Sequence, residues 1–269
     1  MTLRVVIRGG GDLASGVAVR LFRAGCQVLI CELEKPLCVR RSVSFAQAVY
    51  SRKISIEGIT GELISESSVF ENLGKVDYIP VIIDPDFKIG GSFLPDVVVD
   101  ARMIKAFSRF HLKSKYLLIG IGPGFVAGEN CHVVIETKRG FNLGRVYWQG
   151  SAENDTGIPE KVSDYDLKRV LRAPCEGIFK TNSEIGKIID SDQIIGYIDD
   201  EAIRAPFKGL LRGLIHDGLF VQKGLKIGDL DPRLDKKLCE FVSDKALAIG
   251  GGVLEAILSV PKMRQRIGD

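Results

Sequence analysis

Long apolar segments and paired cysteines are both missing from this sequence. No apolar run approaches the roughly 18–20 residues of a membrane-spanning helix, and the first residues lack the basic start and apolar stretch of a secretory signal. The six cysteines form no Cys-x-x-Cys pair and the three histidines are dispersed, which argues against a zinc or iron–sulfur site. We therefore expect a cytoplasmic protein with no metal ligand set and no membrane partner.

The sequence also lacks a large excess of charge of one sign. The 37 basic and 34 acidic residues are interspersed and give a net charge of +3, and aromatic residues make up only 7% of the chain. Nucleic-acid-binding proteins concentrate basic residues on one face or interleave them with aromatic residues, so no nucleic-acid partner is expected. With 45% hydrophobic and 26% charged residues, the 269-residue chain has an ordinary globular composition and is long enough for two domains.

The N-terminal segment has the pattern of a β-α-β unit. Residues 4–10 are apolar and end in glycine, residues 12–25 carry apolar side chains at helical spacing, and residues 28–31 form a second apolar run that ends at Glu32. Such runs are typical of parallel strands covered on both faces, so residues 1–165 are predicted to form a Rossmann-like α/β domain. Further apolar runs that end in polar or glycine residues follow at 79–83, 97–99, 116–121 and 132–135.

After about residue 165 the pattern changes to short strands and glycine turns. Ala173-Pro174-Cys175-Glu176-Gly177 is echoed about 32 residues later by Ala205-Pro206-Phe207-Lys208-Gly209, which predicts a small all-β domain of two similar halves over residues 166–233. The pattern is similar to the barrel-sandwich hybrid of biotinyl and lipoyl domains, although the tip at 199–202 has no lysine for a swinging arm. Residues 234–269 are predicted to be a C-terminal helical segment, with a helix at 254–260.

The first glycine-rich segment is the strongest functional motif. Gly9-x-Gly11-x-x-Ala14 lies between the first strand and the first helix and matches the dinucleotide-binding fingerprint. The start of the helix offers unpaired amides to a phosphate, and Glu32 ends the second strand, where an acidic residue would bond ribose hydroxyls. A purely structural glycine turn is the alternative interpretation. The cofactor-binding candidates here are Gly9, Gly10, Gly11, Asp12, Ala14, Ser15 and Glu32.

A second glycine-rich segment, residues 120–128, follows another predicted strand. Four glycines in nine residues let the backbone approach a ligand, so Gly122 and Gly124 are further cofactor-binding candidates. The alternative interpretations are surface ion pairs and a buried cysteine beside a hydrogen-bonded histidine, since adjacent strand residues point to opposite faces. The catalytic candidates, a thiol–imidazole pair and two charged residues of the next strand, are Cys131, His132, Glu136 and Arg139.

These motifs together resemble one known family, the selenium-dependent molybdenum hydroxylase accessory proteins (the YqeB family). The resemblance implies a role in the maturation of molybdenum hydroxylases such as those related to xanthine dehydrogenase, with the client enzyme and its maturation machinery as partners. One departure is Arg139-Gly140-Phe141, where the family usually has Arg-Gly-His. The segments that carry the resemblance, in collinear order, are residues 8–18, 43–50, 57–60, 122–125, 131–132, 134–137, 226–233, 242–246 and 248–256.

Three functional hypotheses follow. The first is an accessory or maturation factor that binds a nucleotide or dinucleotide, either NAD(P) or a molybdopterin nucleotide, at residues 9–16 and handles selenium or sulfur near residues 120–140. The second is an NAD(P)-dependent oxidoreductase, although the sequence has no Tyr-x-x-x-Lys pair in support of it. The third is a non-catalytic scaffold that docks a client through residues 172–231. The sequence leaves open whether a reaction is catalysed and whether the chain forms a homo-oligomer.

Overall fold

The computed structural model describes residues 2–72, 77–104, 115–154 and 169–267. The chain forms two compact units. The first contains residues 1–36, 44–155 and 242–269, and the second contains residues 37–43 and 156–241. Within the described ranges, every helix is too short or too polar to cross a membrane.

A nine-stranded mixed sheet forms the centre of the first unit, in the order β10-β9-β7-β6-β1-β2-β5-β4-β3. The seven central strands run parallel, whereas β3 and β10 at the two edges are antiparallel to their neighbours. A separate two-stranded ladder pairs β8 with β11. The strands are β1 (Arg4–Arg8), β2 (Gln27–Glu32), β3 (Lys53–Ile56), β4 (Ile59–Leu63), β5 (Ile79–Ile83), β6 (Val97–Asp100), β7 (Leu117–Ile121), β8 (Val126–Ala127), β9 (Val133–Ile135), β10 (Val146–Tyr147) and β11 (Gly150–Ser151).

The direction of strand addition reverses at β1. The strand β2 lies on one side of β1, and after β5 the chain returns to place β6 on the other side. Such a reversal opens a crevice outside the carboxyl ends of the two adjacent strands, because their connections leave in opposite directions. The loops that follow Arg8 and Asp100 therefore border this crevice.

Two helices, α1 (Asp12–Arg23) and α5 (Asp244–Leu258), pack against each other beside this sheet. A Cβ atom at Gly16 would lie 2.6 Å from the Cβ of Ala246, and one at Gly250 would lie 2.8 Å from the carbonyl oxygen of Gly16. Larger residues at these two positions would push the helices apart, so glycine permits the close crossing. The shorter helices are α2 (Ala48–Ser51), α3 (Glu66–Asn72), α4 (Gly90–Phe93) and α6 (Pro261–Arg264), and 3-10 turns occur at Arg41–Val43, Phe45–Gln47 and Lys236–Cys239.

Two four-stranded antiparallel sheets make up the second unit. Their orders are β12-β19-β17-β14 and β16-β15-β13-β18. Apolar side chains such as Phe179, Leu210 and Leu230 are fully buried in this unit. The strands are β12 (Val170–Arg172), β13 (Gly177–Lys180), β14 (Ile188–Ile189), β15 (Ile194–Ile198), β16 (Glu201–Arg204), β17 (Gly209–Leu214), β18 (Phe220–Val221) and β19 (Lys226–Asp231).

The fold class predicted from the sequence was wrong in its arrangement. The expected parallel Rossmann-like sheet is instead a mixed sheet, in part because Glu57 and Gly58 have φ values of 49° and 83° and turn the chain back as the β3–β4 hairpin. The expected biotinyl- or lipoyl-like domain is instead a pair of antiparallel sheets whose unit also takes in residues 37–43. The predicted helix at 254–260 overlaps only the last part of α5, which begins at Asp244, ends at Leu258 and belongs to the first unit rather than to a separate segment.

Six of the eleven described strands of the first unit were predicted correctly, namely β1, β2, β5, β6, β7 and β9. The apolar runs of the first unit all form strands whose ends differ from the prediction by no more than two residues. Local periodicity thus located the elements, whereas their arrangement depends on pairings between distant segments.

Candidate functional site

Two arginines share one buried carboxylate at the crevice between β1 and β6. Arg8 and Asp100 end these strands and are paired in register, with Arg8 Nη1 3.4 Å from Asp100 Oδ2. Arg102 donates to both oxygens of Asp100, from Nε at 2.9 Å and from Nη2 at 2.6 Å. The Asp100 side chain is completely buried, whereas that of Arg102 is 35% exposed. Counted by themselves, these three side chains carry two positive charges and one negative charge.

The loop after β5 holds the guanidinium of Arg8. Asp84 accepts two backbone amide hydrogen bonds at 2.9 Å and so folds residues 84–89 into a turn. The turn brings the carbonyl oxygen of Pro85 to 3.3 Å from Arg8 Nη2 and the Phe87 ring centroid to 5.4 Å from the Arg8 guanidinium carbon. Burial lowers the pKa of Arg8 and the charge of Asp100 opposes that shift, but an arginine stays protonated in either case.

The first glycine loop lies directly beside this charged group. Gly9 has a φ of 88°, which favours glycine, and a Cβ atom there would lie 3.4 Å from the Cγ of Arg102. Gly11 precedes α1 as its N-cap with a φ of −68°, and a Cβ atom there would meet no atom of the described residues within 4 Å, apart from those of its chain neighbours. Because Gly11 has no side chain with which to cap the helix, the first turn of α1 and the open space beside it can accept an anion.

Gly10, in contrast, is enclosed by the protein. Its amide donates to Glu32 Oε2 at 2.6 Å, and its carbonyl oxygen accepts from the Ala46 amide at 2.8 Å and from the Ser15 hydroxyl at 3.1 Å. A Cβ atom at Gly10 would lie 2.9 Å from the Ala46 nitrogen. The structural interpretation of the motif therefore holds for Gly10.

The remaining candidates of the first motif differ in burial. Ala14 and Ser15 are completely buried, and the hydroxyl of Ser15 also accepts a hydrogen bond from the Phe45 amide at 2.8 Å. Asp12 begins α1 and is half-buried. Glu32 is buried, and its Oε1 accepts from the Leu33 amide at 2.7 Å. Burial raises the pKa of Glu32, while its hydrogen bonds from two backbone amides oppose that shift.

The second glycine-rich segment is braced by Asn130, which was not among the candidates. The Asn130 side chain accepts from the Val126 amide at 2.7 Å and donates to the carbonyl oxygen of Gly124 at 3.1 Å. Gly122 has a φ of 94° and, like Gly124, is buried. These contacts close the loop, so they support a structural role for its glycines.

The surroundings of Cys131 and His132 favour a structural role for both residues. Cys131 is completely buried, and burial raises the pKa of its thiol to about 12, which leaves it protonated and weakly nucleophilic near neutral pH. The Nδ1 atom of His132 accepts a hydrogen bond from the Leu118 amide at 2.9 Å. In the part of the chain that the structure describes, no group of three or more His, Cys, Asp or Glu side chains could hold a metal ion.

Glu136 and Arg139 both connect separate segments of the first unit. Arg139 forms a bidentate ion pair with Asp244 in the first turn of α5, with Nη2 at 2.6 Å from Oδ1. The Glu136 side chain is completely buried. It accepts three backbone hydrogen bonds at 2.7 to 2.8 Å, from the amides of Thr137, Lys138 and Glu153.

The structure thus brings together a site that only partly matches the sequence candidates. Gly9, Gly11 and Asp12 border the crevice, but the charged group of Arg8, Asp100 and Arg102 was not nominated from the sequence. The sequence indicated this charged group only through the polar residues that end two apolar runs, Arg8 in one run and Asp100-Ala101-Arg102 in the other.

Comparison with known proteins identifies one homologue. The chain is 44% identical over 254 residues to uncharacterized protein YqeB of Escherichia coli (strain K12), and the match covers 94% of this chain and 47% of YqeB. The chain is therefore a homologue of YqeB, which confirms that part of the resemblance, and it spans about half the length of this relative. No protein-family model matches the chain.

The structural neighbours are distant. An aspartoacylase family protein from Mesorhizobium loti matches with a TM-score of 0.26 and 10% identity, over 86% of this chain and 85% of that chain. A succinylglutamate desuccinylase from Silicibacter sp. matches with a TM-score of 0.25 and 13% identity, over 85% and 84% of the two chains. The ectoine utilization protein EutE from Ruegeria pomeroyi matches with a TM-score of 0.27 and 10% identity, over 86% and 85%. Scores this low transfer no activity to the present chain.

These comparisons do not support the functional prediction made from the sequence. The name of the homologue assigns no activity, and the neighbours are named for aspartoacylase, desuccinylase and ectoine utilization rather than for molybdenum, selenium or a nicotinamide cofactor. The prediction is therefore corrected: the maturation role, its xanthine dehydrogenase relation and its oxidoreductase and scaffold alternatives are not retained.

Proposed function

We propose that the first unit binds a small phosphate-bearing molecule, with a nucleotide as the expected class, at the crevice between β1 and β6. The observation that carries the proposal is the group in which two arginines, Arg8 and Arg102, share Asp100. This group lies directly beside Gly9 and near the start of α1. A phosphate is the ligand that both a guanidinium and the start of a helix favour.

The orientation of Arg102 supports this ligand class. Its bidentate bond to Asp100 fixes the guanidinium, while about a third of the side chain stays exposed to solvent. A cation that is already ordered loses little side-chain entropy when an anion arrives, so more of the interaction energy appears as affinity. Arg8 adds a second, buried charge that is held by the turn at residues 84–89.

The difference between adjacent glycines supports the location. The backbone of Gly10 is already bonded to Glu32 and Ala46, whereas the space beside Gly11 is open. We therefore place the phosphate beside Gly11, in reach of the first-turn amides of α1. The candidate contact between Glu32 and a ribose stays a prediction, and it would use the lone pairs that the amides of Gly10 and Leu33 leave available.

The test is a calorimetric titration of the full chain with ATP, NAD and inorganic phosphate. We expect at least one nucleotide to bind, and we expect Arg102→Gln to weaken that binding about tenfold, the effect of losing one charge-assisted contact of about 1.4 kcal/mol. Gly11→Ala should weaken binding as well, because a methyl group would occupy the space assigned to the phosphate.

The matched control is Arg23→Gln, at the other end of α1. Arg23 pairs with Glu57 at the surface, with 50% of its side chain exposed, so its replacement should leave the affinity within about twofold. Failure of all three ligands to bind, or equal affinities for the Arg102 and Arg23 variants, would contradict the proposal.

A further inference from the structure

A cavity of about 320 Å³ lies in the second unit where its two sequence repeats meet. Arg172 and Pro174 line it from one repeat, and Arg204 and Pro206 line it from the other. The rest of the lining is aliphatic and includes Leu171 and Ile203. A cavity of this volume is at the lower end of the range of small-molecule sites, roughly 300–1,000 Å³.

The two repeats hold their arginines in the same way. Arg172 Nη1 donates to the carbonyl oxygen of Gly224 at 2.9 Å, and Arg204 Nη1 donates to the carbonyl oxygen of Asp192 at 2.9 Å. Gly224 and Asp192 have similar positive φ values, 83° and 65°. Each guanidinium is thus anchored at one nitrogen to an equivalent left-handed turn of the backbone.

The backbone around these turns repeats as well. The amide of Gly224 donates to the carbonyl oxygen of Ala173 at 2.8 Å, and that of Asp192 donates to the carbonyl oxygen of Ala205 at 2.8 Å. The alanines directly follow the two arginines in sequence. The arginines are therefore equivalent by sequence, by backbone and by hydrogen bond, and the cavity between them is two-fold symmetric in its chemistry.

The strands that carry these arginines are both edge strands. The strand β12 is at the end of one four-stranded sheet, and β16 is at the end of the other. The cavity therefore lies between two sheet edges. Arg172 and Arg204 are the charged residues among those given for its lining, and Arg204 is paired only loosely with Asp192, since Asp192 Oδ2 is 3.8 Å from Arg204 Nη1 and its side chain is 82% exposed. The two guanidinium charges accordingly exceed the acidic charge beside them.

We infer that this cavity binds an aliphatic dicarboxylate, with one carboxylate on Arg172 and the other on Arg204. A guanidinium matches the geometry of a carboxylate, and two equivalent guanidiniums match a ligand with two like ends. The hydrocarbon chain of the ligand lies against Pro174, Pro206 and the aliphatic lining, where burial of apolar surface favours it. This site is in the second unit and does not depend on the ligand of the first.

The inference is tested by calorimetric titration of the full chain with a series of unbranched dicarboxylates from succinate to adipate. We expect one chain length to bind best, because the spacing of the two arginines is set by the anchored backbone. Pentanoate, with one carboxylate, should bind about tenfold more weakly than the best dicarboxylate. Inorganic phosphate should not compete with it.

Single variants show whether both arginines take part. Arg172→Gln and Arg204→Gln should each weaken binding of the best dicarboxylate about tenfold, and their affinities for pentanoate should differ much less from wild type. The control is Lys187→Gln, since Lys187 is 59% exposed, pairs with Glu184 in the same unit and does not line the cavity. Far-ultraviolet circular dichroism establishes that each variant is folded.

Several results would overturn the inference. They are the absence of saturable dicarboxylate binding, equal affinities for pentanoate and the dicarboxylates, or effective competition by phosphate. Arginine variants that are folded yet bind like the Lys187 variant would overturn it as well.

Discussion

Buried carboxylates are stabilised differently in the two units. In the first unit, Glu32, Asp84 and Glu136 accept hydrogen bonds from backbone amides. In the second unit, the buried Asp229 and Asp231 of β19 face arginine side chains. Amide-bonded carboxylates shape loops and need no counter-charge, whereas carboxylates paired with arginines join side chains from different segments of the chain.

Asp100 is the exception in the first unit, and it lies at the candidate site. It is completely buried and pairs with Arg8 and Arg102, as the carboxylates of the second unit pair with their arginines. The second unit surrounds two carboxylates with Arg169, Arg212 and Arg233. Guanidinium groups therefore outnumber carboxylates in both of these clusters. Among the buried carboxylates that the structure describes, only Asp100 lies near the start of a helix and near a glycine with open space beside it.

The largest expected effect comes from Asp231→Ala, which would remove one of the two buried carboxylates of the arginine network. Asp231 accepts from Arg233 at 2.7 Å and lies 3.5 Å from Arg212. Removing one partner from such a network costs about 3–5 kcal/mol. Urea unfolding followed by far-ultraviolet circular dichroism measures the loss of unfolding free energy. The exposed Asp190, which pairs with Lys208 at the surface, serves as control through Asp190→Asn, and equal losses in both variants would contradict the role assigned to the network.

A smaller effect on stability should distinguish alanine replacements at two adjacent glycines of the first unit, Gly10 and Gly11. Gly10→Ala should destabilise the protein by about 1–3 kcal/mol, since its Cβ would lie 2.9 Å from the Ala46 nitrogen and 3.1 Å from the Ile30 side chain. Gly11→Ala should destabilise the protein less, because the space beside Gly11 is open and its φ is ordinary, so only the lower preference of alanine for the N-cap position remains. The fluorescence of Trp148, the one tryptophan of the chain, reports the unfolding of the first unit. The reverse order of stabilities would show that the loop is packed differently.

The smallest expected effect is a difference in pH dependence between Glu32 and Asp231. Burial raises the pKa of Glu32, and its bonds from the amides of Leu33 and Gly10 oppose this only in part. The contribution of Glu32 to stability is therefore complete below the usual glutamate pKa and is lost as the pH rises through the raised value. Burial would also raise the pKa of Asp231, but the hydrogen bonds of Arg233 and the charge of Arg212 outweigh it and hold that pKa below its usual value. Stability from Asp231 is therefore present above the usual aspartate pKa and is lost as the pH falls through the lowered value.

Unfolding free energies of Glu32→Gln and Asp231→Asn, measured from acidic to neutral pH, test this contrast. The Glu32 variant should lose the decline towards higher pH, and the Asp231 variant should lose part of the decline towards lower pH. A change of the same sign in both variants would refute the contrast.

The candidate site shows which features local sequence patterns can predict and which they cannot. The turn at Gly9 and the helix start at Asp12 were predictable, because apolar periodicity and glycine placement act over a few residues. Asp100 and Arg102 lie about 90 residues further along the chain, and no local pattern relates them to Gly9. Cys131 and His132 were nominated because they adjoin each other in sequence, yet Cys131 is buried as a neutral thiol and His132 bonds to the backbone of β7.

The sequence by itself determined the approximate positions of six strands and one helix of the first unit, namely β1, β2, β5, β6, β7, β9 and α1, and the turn at Gly9. It also determined the repeat of the second unit, since the Arg-Ala-Pro segment at 172–174 recurs at 204–206. Only the tertiary structure decided that the sheet is mixed, that α5 packs on α1 and that Arg8 and Arg102 meet at Asp100. The physical reason is that strand order and register are set by contacts between distant segments, and a charge acts on whichever group the fold brings within a few ångströms of it.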